Sequence, residues 1–135
     1  MIAEVAKAIT THFRSSDVYS VLDGRLYFQQ APQDVDFPYG VFYFNGAIHE
    51  EIMSNTSINN IIECDLQFNL FDNTQDGGAK IADVAKDFDA AFHWATINVS
   101  GYSYVKMQRE NIQPVMYIDE IWQVTINYVL GIQQS

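Results

Sequence analysis

The segment "IIECDLQFNLF", residues 61 to 71, constrains the fold most, because apolar and polar side chains alternate strictly from Ile62 to Leu70. Apolar side chains fall on one face and polar ones on the other, the latter being Glu63, Asp65, Gln67 and Asn69. Such alternation is typical of a strand with one buried face and one polar face. It favours an antiparallel sheet over a doubly wound parallel sheet, whose strands are continuous apolar runs.

Four further segments have the composition of β-strands. They are residues 25–30, about 39–47, 100–111 and the final run "IWQVTINYVLGI", which follows a turn or bulge at Pro114. The corner before the second of them is rigid, because Pro38 can begin a strand but would remove a ladder hydrogen bond from its middle. Phe37, which precedes this proline, is pushed towards extended geometry.

Two amphipathic helices complete the predicted elements. Residues 2 to 13 carry apolar side chains at helical spacing, and a second helix runs from about Ile81 to residues 94–96, with Thr74 or Asp76 as a possible cap. The order is αβββαββ. The sequence therefore predicts an α+β fold, an antiparallel sheet with two helices packed on it, as one domain over residues 1–135.

Charge excludes one class of partner. The chain has 17 acidic residues against seven lysines and arginines, a net charge of −10. A protein that grips nucleic acid through phosphates needs a basic patch, and none is present. The sequence also has no signal peptide and no stretch near the roughly 20 apolar residues of a membrane span, which predicts a soluble protein assembled inside a cell.

No residues suggest catalysis, a metal site or a cofactor. The three histidines are far apart, and the lone Cys64 is predicted to be a small core residue on its strand. His93 is predicted to be a satisfied group at a helix end. The adjacent acids Glu50–Glu51 and Asp119–Glu120 lack the two distinct environments of an acid/base pair.

The polar strand faces allow two interpretations. Glu63, Asp65, Gln67 and Asn69, beside the polar positions of the last strand, either face solvent or form a subunit surface or channel wall. Residues 48 to 60 mix polar and acidic side chains and are predicted to be a long hairpin connection with a mobile tip. Such long connections are often functional.

Taken in order, these features resemble the tail-terminator, or tail-completion, proteins of long-tailed bacteriophages. The resemblance runs nearly end to end, through the N-terminal helix, "GRLYFQQAPQDVDFPYGVFYF", "DLQFNLFDN", the acidic helix and "EIWQVTINYVLGI". The most suggestive piece is Ala31-Pro32 followed by Pro38-Tyr39, since the family has a similar segment between its first two strands.

The resemblance implies a virion protein without enzymatic activity, located in the tail or neck and assembled in the host bacterial cytoplasm. Such proteins form hexameric rings that cap the tail tube, contact the tail tube protein and give the head–tail connector or stopper protein a docking face. DNA passes through the lumen without specific binding. The resemblance also implies that the tip of the connection at residues 48–60 contacts a neighbouring subunit or the tube. The residues concerned are Ile48, His49, Glu50, Glu51, Ile52 and Met53.

Two alternatives stay open. One is another neck component, a head–tail stopper or adaptor, which shares the size, acidity and ring-forming habit. The other is a monomeric α+β ligand-binding domain or small enzyme, in which Tyr27, Phe42, Phe44 and Tyr104 would line a pocket.

Overall fold

Two long antiparallel strands form the centre of the structure. The computed structural model describes residues 2–45, 49–51 and 61–134. Its elements are α1 (Ile2–Ser15), α2 (Val18–Val21), β1 (Leu26–Phe28), β2 (Tyr39–Phe44), β3 (His49–Glu51), β4 (Ile61–Asp72), α3 (Ala79–Phe92), β5 (Tyr102–Ile112), β6 (Met116–Ile118) and β7 (Ile121–Gln134). β4 and β7 pair from Ile61 opposite Gln133 to Asp72 opposite Trp122.

The strand order is β1-β2-β4-β7-β5. Two short strands add to this order. β3 pairs with residues 61–63 of β4, on the same edge where β2 pairs with residues 66–71. β6 pairs with residues 121–123 of β7, on the same edge where β5 pairs with residues 126–134. The α+β class and the two long helices are as predicted. The sheet is not wholly antiparallel, however, since β1 and β2 run parallel. The predicted order also lacked the short elements α2, β3 and β6.

The core lies on one face of the sheet, between the strands and the helices. α3 packs on β4, β5 and β7, while α1 packs on α2 and β1. The apolar positions of β4 and β7 point into this layer, as the alternation predicted: Cys64, Leu66, Phe68, Leu70, Val124, Ile126, Tyr128, Leu130 and Ile132 are all buried. We call this the helix face of the sheet and the opposite one the outer face.

Phe68 is the centre of an aromatic cluster in this core. Its ring lies 4.9 Å from that of Phe88, 5.3 Å from Phe42, 5.4 Å from Phe92 and 5.4 Å from Tyr128. The cluster joins three strands to α3, so that the helix has one defined position on the sheet.

The corner at Pro38 holds the parallel pair together. Pro38 follows a cis peptide bond and directly precedes β2, as predicted for a strand begun by proline. The guanidinium of Arg25 donates to the carbonyl oxygens of Pro38 at 3.0 Å and Phe37 at 3.1 Å. At Gly40 a Cβ would come within 3.0 Å of the Leu26 side chain and 2.9 Å of the Leu70 side chain, so glycine lets both leucines pack closely on β2.

The N-cap of α3 is Gly78, in a left-handed conformation, and neither Thr74 nor Asp76 as predicted. Asp76 nevertheless contacts the start of the helix from two residues before the cap. The carboxylate of Asp76 accepts hydrogen bonds from the backbone N–H of Gly78 at 3.2 Å and of Lys80 at 3.0 Å. These satisfy donors of the first turn that have no partner within the helix. In the part of the chain that is described, no helix is long and apolar enough to span a membrane.

Two isoleucines offer a matched test of the core. Ile126 is 0% exposed and Ile118 is 52% exposed. We expect Ile126→Ala to lower the free energy of unfolding by about 2–5 kcal/mol through lost burial and a cavity. Ile118→Ala should change it by less than about 1 kcal/mol. Urea denaturation followed by circular dichroism measures both, and equal effects would contradict this location of the core.

Candidate interaction surfaces

The outer face of the sheet carries the predicted polar positions of β4. Glu63, Asp65, Gln67 and Asn69 all lie on it and are half-buried. The described helices all contribute to the core on the opposite face. These four residues, predicted to line a lumen or a subunit surface, therefore share one surface over which no described helix packs.

A row of hydrogen-bonding side chains crosses the middle of the outer face. Tyr43, Gln67, Asn127 and Asn111 are neighbours on β2, β4, β7 and β5. The Gln67 amide donates to the Tyr43 hydroxyl, and the Asn127 amide donates to the Asn111 side-chain oxygen at 2.8 Å. These side chains thus join β2 to β4 and β7 to β5 in addition to the backbone ladder.

A second contact in this row buries a hydroxyl. Thr125 donates to the Asn69 side-chain oxygen at 2.9 Å, and that oxygen also accepts from Gln67 at 3.1 Å. Thr125 and Asn127 were predicted to face out, and they do, yet they are only 6% and 8% exposed. The Oδ1 atom of Asn127 has no hydrogen-bond partner within the described residues. Polar groups buried in this way favour one strand register, because a shifted register would leave more of them unpaired.

The two ends of the outer face differ in chemistry. At one end Glu63 and Asp65 lie opposite Gly131 and Val129 of β7. At the other end Phe71 stacks on Tyr39 with ring centroids 4.8 Å apart. Glu63 and Phe71 are eight residue steps apart on β4, roughly 27 Å along a strand. The face therefore changes from acidic through amide to aromatic along the strands.

An exposed apolar hairpin extends the aromatic end. β6 and the start of β7 are joined by Asp119 and Glu120, whose φ angles of 52° and 64° are those of a two-residue type I′ turn. The segment before the turn is apolar and exposed on every residue: Val115, Met116, Tyr117 and Ile118. We call residues 115–120 the hairpin tip. The sequence carries no clear signal for it, because Asp-Glu is not among the dipeptides that usually mark this turn.

The hairpin tip is held against the rest of the fold. The Tyr117 hydroxyl donates to the Gln75 side-chain oxygen at 2.8 Å, and the Tyr117 ring lies 4.3 Å from that of Trp122. Gln75 also donates to the backbone oxygen of Glu120 at 3.2 Å. Its exposed apolar side chains are consequently presented in a fixed orientation.

The six residues predicted to contact the tube or a neighbouring subunit are described in part. Ile48, Ile52 and Met53 lie outside the described residues. His49, Glu50 and Glu51 form β3, which pairs with Glu63, Ile62 and Ile61. The connection predicted for residues 48–60 therefore begins with a strand, and the proposed role of these six residues stays a prediction.

Cys64 and His93, the side chains considered as possible reactive groups, take part in the packing and hydrogen bonding of the fold. Cys64 is fully buried, and burial raises the pKa of its thiol to about 11. The His93 ring accepts a hydrogen bond from the backbone N–H of Arg109 at 3.0 Å, as predicted for a satisfied group at a helix end. In the described part of the chain, no group of three or more His, Cys, Asp or Glu side chains could hold a metal ion.

The aromatic residues of the ligand-binding alternative do not form one site. Phe42 is fully buried and packs on Phe68, on the helix face. Tyr27 pairs with Val41 and so lies on the outer face. The side chain of Tyr104 is outside the described residues. Phe42 and Tyr27, on opposite faces of the sheet, cannot line the same pocket.

The fold has relatives among solved structures. Comparison of the sequence with protein families and with curated proteins gives no match. A chain in the virion of a native gene transfer agent particle has a similar structure, with a TM-score of 0.70 and 13% identity over 91% of this chain and 90% of that one. A second solved chain is 15% identical, with a TM-score of 0.61 over 96% of this chain and 95% of its own. At these identities the comparisons establish the shared fold.

The raised pKa of Cys64 has a measurable consequence. At pH 8 we expect the native thiol to react with a disulfide reagent at least about 100-fold more slowly than in 6 M guanidinium, because it is buried and almost wholly protonated. Because the folded-state pKa is the higher one, the associated stability is present below pH 9 and is lost as the pH rises towards 11. Fast labelling of the native protein would contradict the buried position. The control is the Cys64→Ser variant, which has no thiol to react.

Proposed function

We propose that this chain is a structural virion protein of the tail-terminator type. In this proposal it forms a homo-hexameric ring at the end of the tail tube, contacts the tail tube protein and offers a face to the head–tail connector or stopper protein. It has no catalytic role and needs no cofactor. Its location is the tail or neck of the virion.

The observation that carries the proposal is the end-to-end structural likeness to a chain of a gene transfer agent virion. The alignment covers 91% of this chain and 90% of the other, so the likeness extends over nearly the whole of both chains. The likeness adds to the sequence resemblance, which rests on a different kind of observation, the order of motifs such as Pro38-Tyr39.

The polarity of the outer face supports a role beside DNA. Glu63 and Asp65 lie at the acidic end of the outer face. One cation belongs to this end by register, since Lys106 of β5 is opposite Gly131, the residue that also pairs with Glu63. Arg109 borders a groove with Glu63 but forms an ion pair with Asp89 of α3 at 2.6 Å. A lumen wall with exposed cations would bind DNA phosphates. A wall of carboxylates and amides would let the duplex pass without binding it.

A first test concerns assembly. We expect native mass spectrometry over a concentration series to show a hexamer, and negative-stain images to show rings that bind one end of purified tail tubes. Binding to DNA-filled heads in place of tails would favour the stopper or adaptor alternative. A chain that stays monomeric and binds neither would contradict the whole proposal.

A second test concerns the lumen. In the ring, Glu63→Lys with Asp65→Lys should produce binding of double-stranded DNA that weakens with added salt, whereas the unmodified ring should bind none in an electrophoretic shift assay. The matched control is Asp83→Lys with Asp87→Lys, which makes the same charge change on the exposed side of α3. Equal DNA binding by both variants would mean that net charge, and not the position of the outer face, is responsible.

A further inference from the structure

The hairpin tip combines apolar side chains with negative charge. Met116 is 46% exposed and Ile118 is 52% exposed. The carboxylates of Asp119 and Glu120 follow directly, are exposed, and form no ion pair with any described residue. A surface that buries this tip favourably needs apolar walls with a cation at the rim.

The same chain has such a surface. A groove of about 420 Å³ lies between α3 and residues 112–115, a volume typical of binding sites. Its walls are mainly apolar, and the small side chains of Ala82 and Ala85 on α3 leave the space open. Lys86 lies at the groove, is exposed, and has no ion pair within the described residues. We call this the α3 groove.

The tip cannot enter the α3 groove of its own chain. β6 is paired with β7 up to Ile118, and Tyr117 and Gln75 hold the hairpin in place. Val115, the first residue of the tip, already lines this groove, and the pairing of Met116–Ile118 with β7 holds the rest of the tip on the sheet. A contact between them must therefore join two copies through two different surfaces, which is the head-to-tail contact that generates rings.

Charge favours a second copy as the occupant. Each chain carries a net charge of −10, so most contacts between copies bring like charges together. The α3 groove offers an exception to this repulsion, because its lining has two cations, Lys86 and Arg109, against one carboxylate, Asp89. Since Arg109 and Asp89 form an ion pair, Lys86 is the cation that Asp119 and Glu120 would meet. A contact between two tips would place four carboxylates side by side with no cation.

We propose that the hairpin tip of one copy docks in the α3 groove of the next, with Met116 or Ile118 against the alanines and the turn carboxylates paired with Lys86. This inference deepens the proposed function and rests on it, since a ring needs one repeated contact. It assigns that contact to surfaces other than residues 48–53, on which the resemblance placed it.

Complementary variants test the contact. A tip variant, Asp119→Lys with Glu120→Lys, and a groove variant, Ala82→Trp, should each weaken self-association at least about tenfold in analytical ultracentrifugation. An equimolar mixture should form a heterodimer and nothing larger, because one intact tip and one intact groove remain. Adding Lys86→Glu to the tip variant should restore association to within about threefold of the original chain.

Controls separate the possible failures. Asp17→Lys with Asp36→Lys makes the same charge change on exposed residues that belong neither to the tip nor to the lining of the groove, and it should leave the stoichiometry unchanged. Circular dichroism melting verifies that each variant folds. Variants that associate like the original chain, or an original chain that stays monomeric at millimolar concentration, would overturn the inference. The proposed function fails separately, if the original chain does not bind the ends of purified tail tubes.

Discussion

The pairing of β4 with β7 is the constraint on which the rest of the structure depends. It runs over twelve consecutive residue pairs, from Ile61–Gln133 to Asp72–Trp122. Its helix face supplies Phe68 and Tyr128 to the aromatic cluster that positions α3, and its outer face supplies Gln67 and Asn127 to the polar row. The remaining strands pair with the outer edges of these two or, like β1, with a strand that does. A shift of one residue between β4 and β7 would exchange the two faces, bringing carboxylates to the core and phenylalanine to the surface.

The sequence predicts the elements whose signals are local and long. The period-two pattern of residues 61–71 and the helical spacing of residues 2–13 correspond to β4 and α1. The parallel pairing of β1 could not be predicted, because it depends on the contacts of Arg25 with the corner at Pro38, thirteen residues away. The hairpin tip was missed because β6 has only three residues and its turn lacks glycine. The tip and the α3 groove are therefore surfaces that only the tertiary structure brings to light.

The row of hydrogen-bonding side chains explains how the outer face can be ordered although no described helix covers it. A face with no helix over it would ordinarily depend on water to satisfy its polar groups. Here Gln67, Asn69 and Thr125 satisfy one another, so the centre of the face is ordered before anything binds to it. The acidic and aromatic ends are then held at a fixed separation, and each is available to a different neighbour. In a ring of copies such a gradient would repeat around the circumference and give the two rims different chemistry.

The position of β7 in the sheet also has a consequence for synthesis. β4 lies between β2 and β7, and about fifty residues separate the end of β4 from the start of β7. Until residues 121–134 have been made, one edge of β4 lacks its neighbour, and the aromatic cluster lacks Tyr128. The hairpin tip cannot form before then either, because β7 is the one described strand with which β6 pairs. The proposed contact through this hairpin would therefore be closed to a nascent chain, and any assembly through it would wait until the sheet is complete.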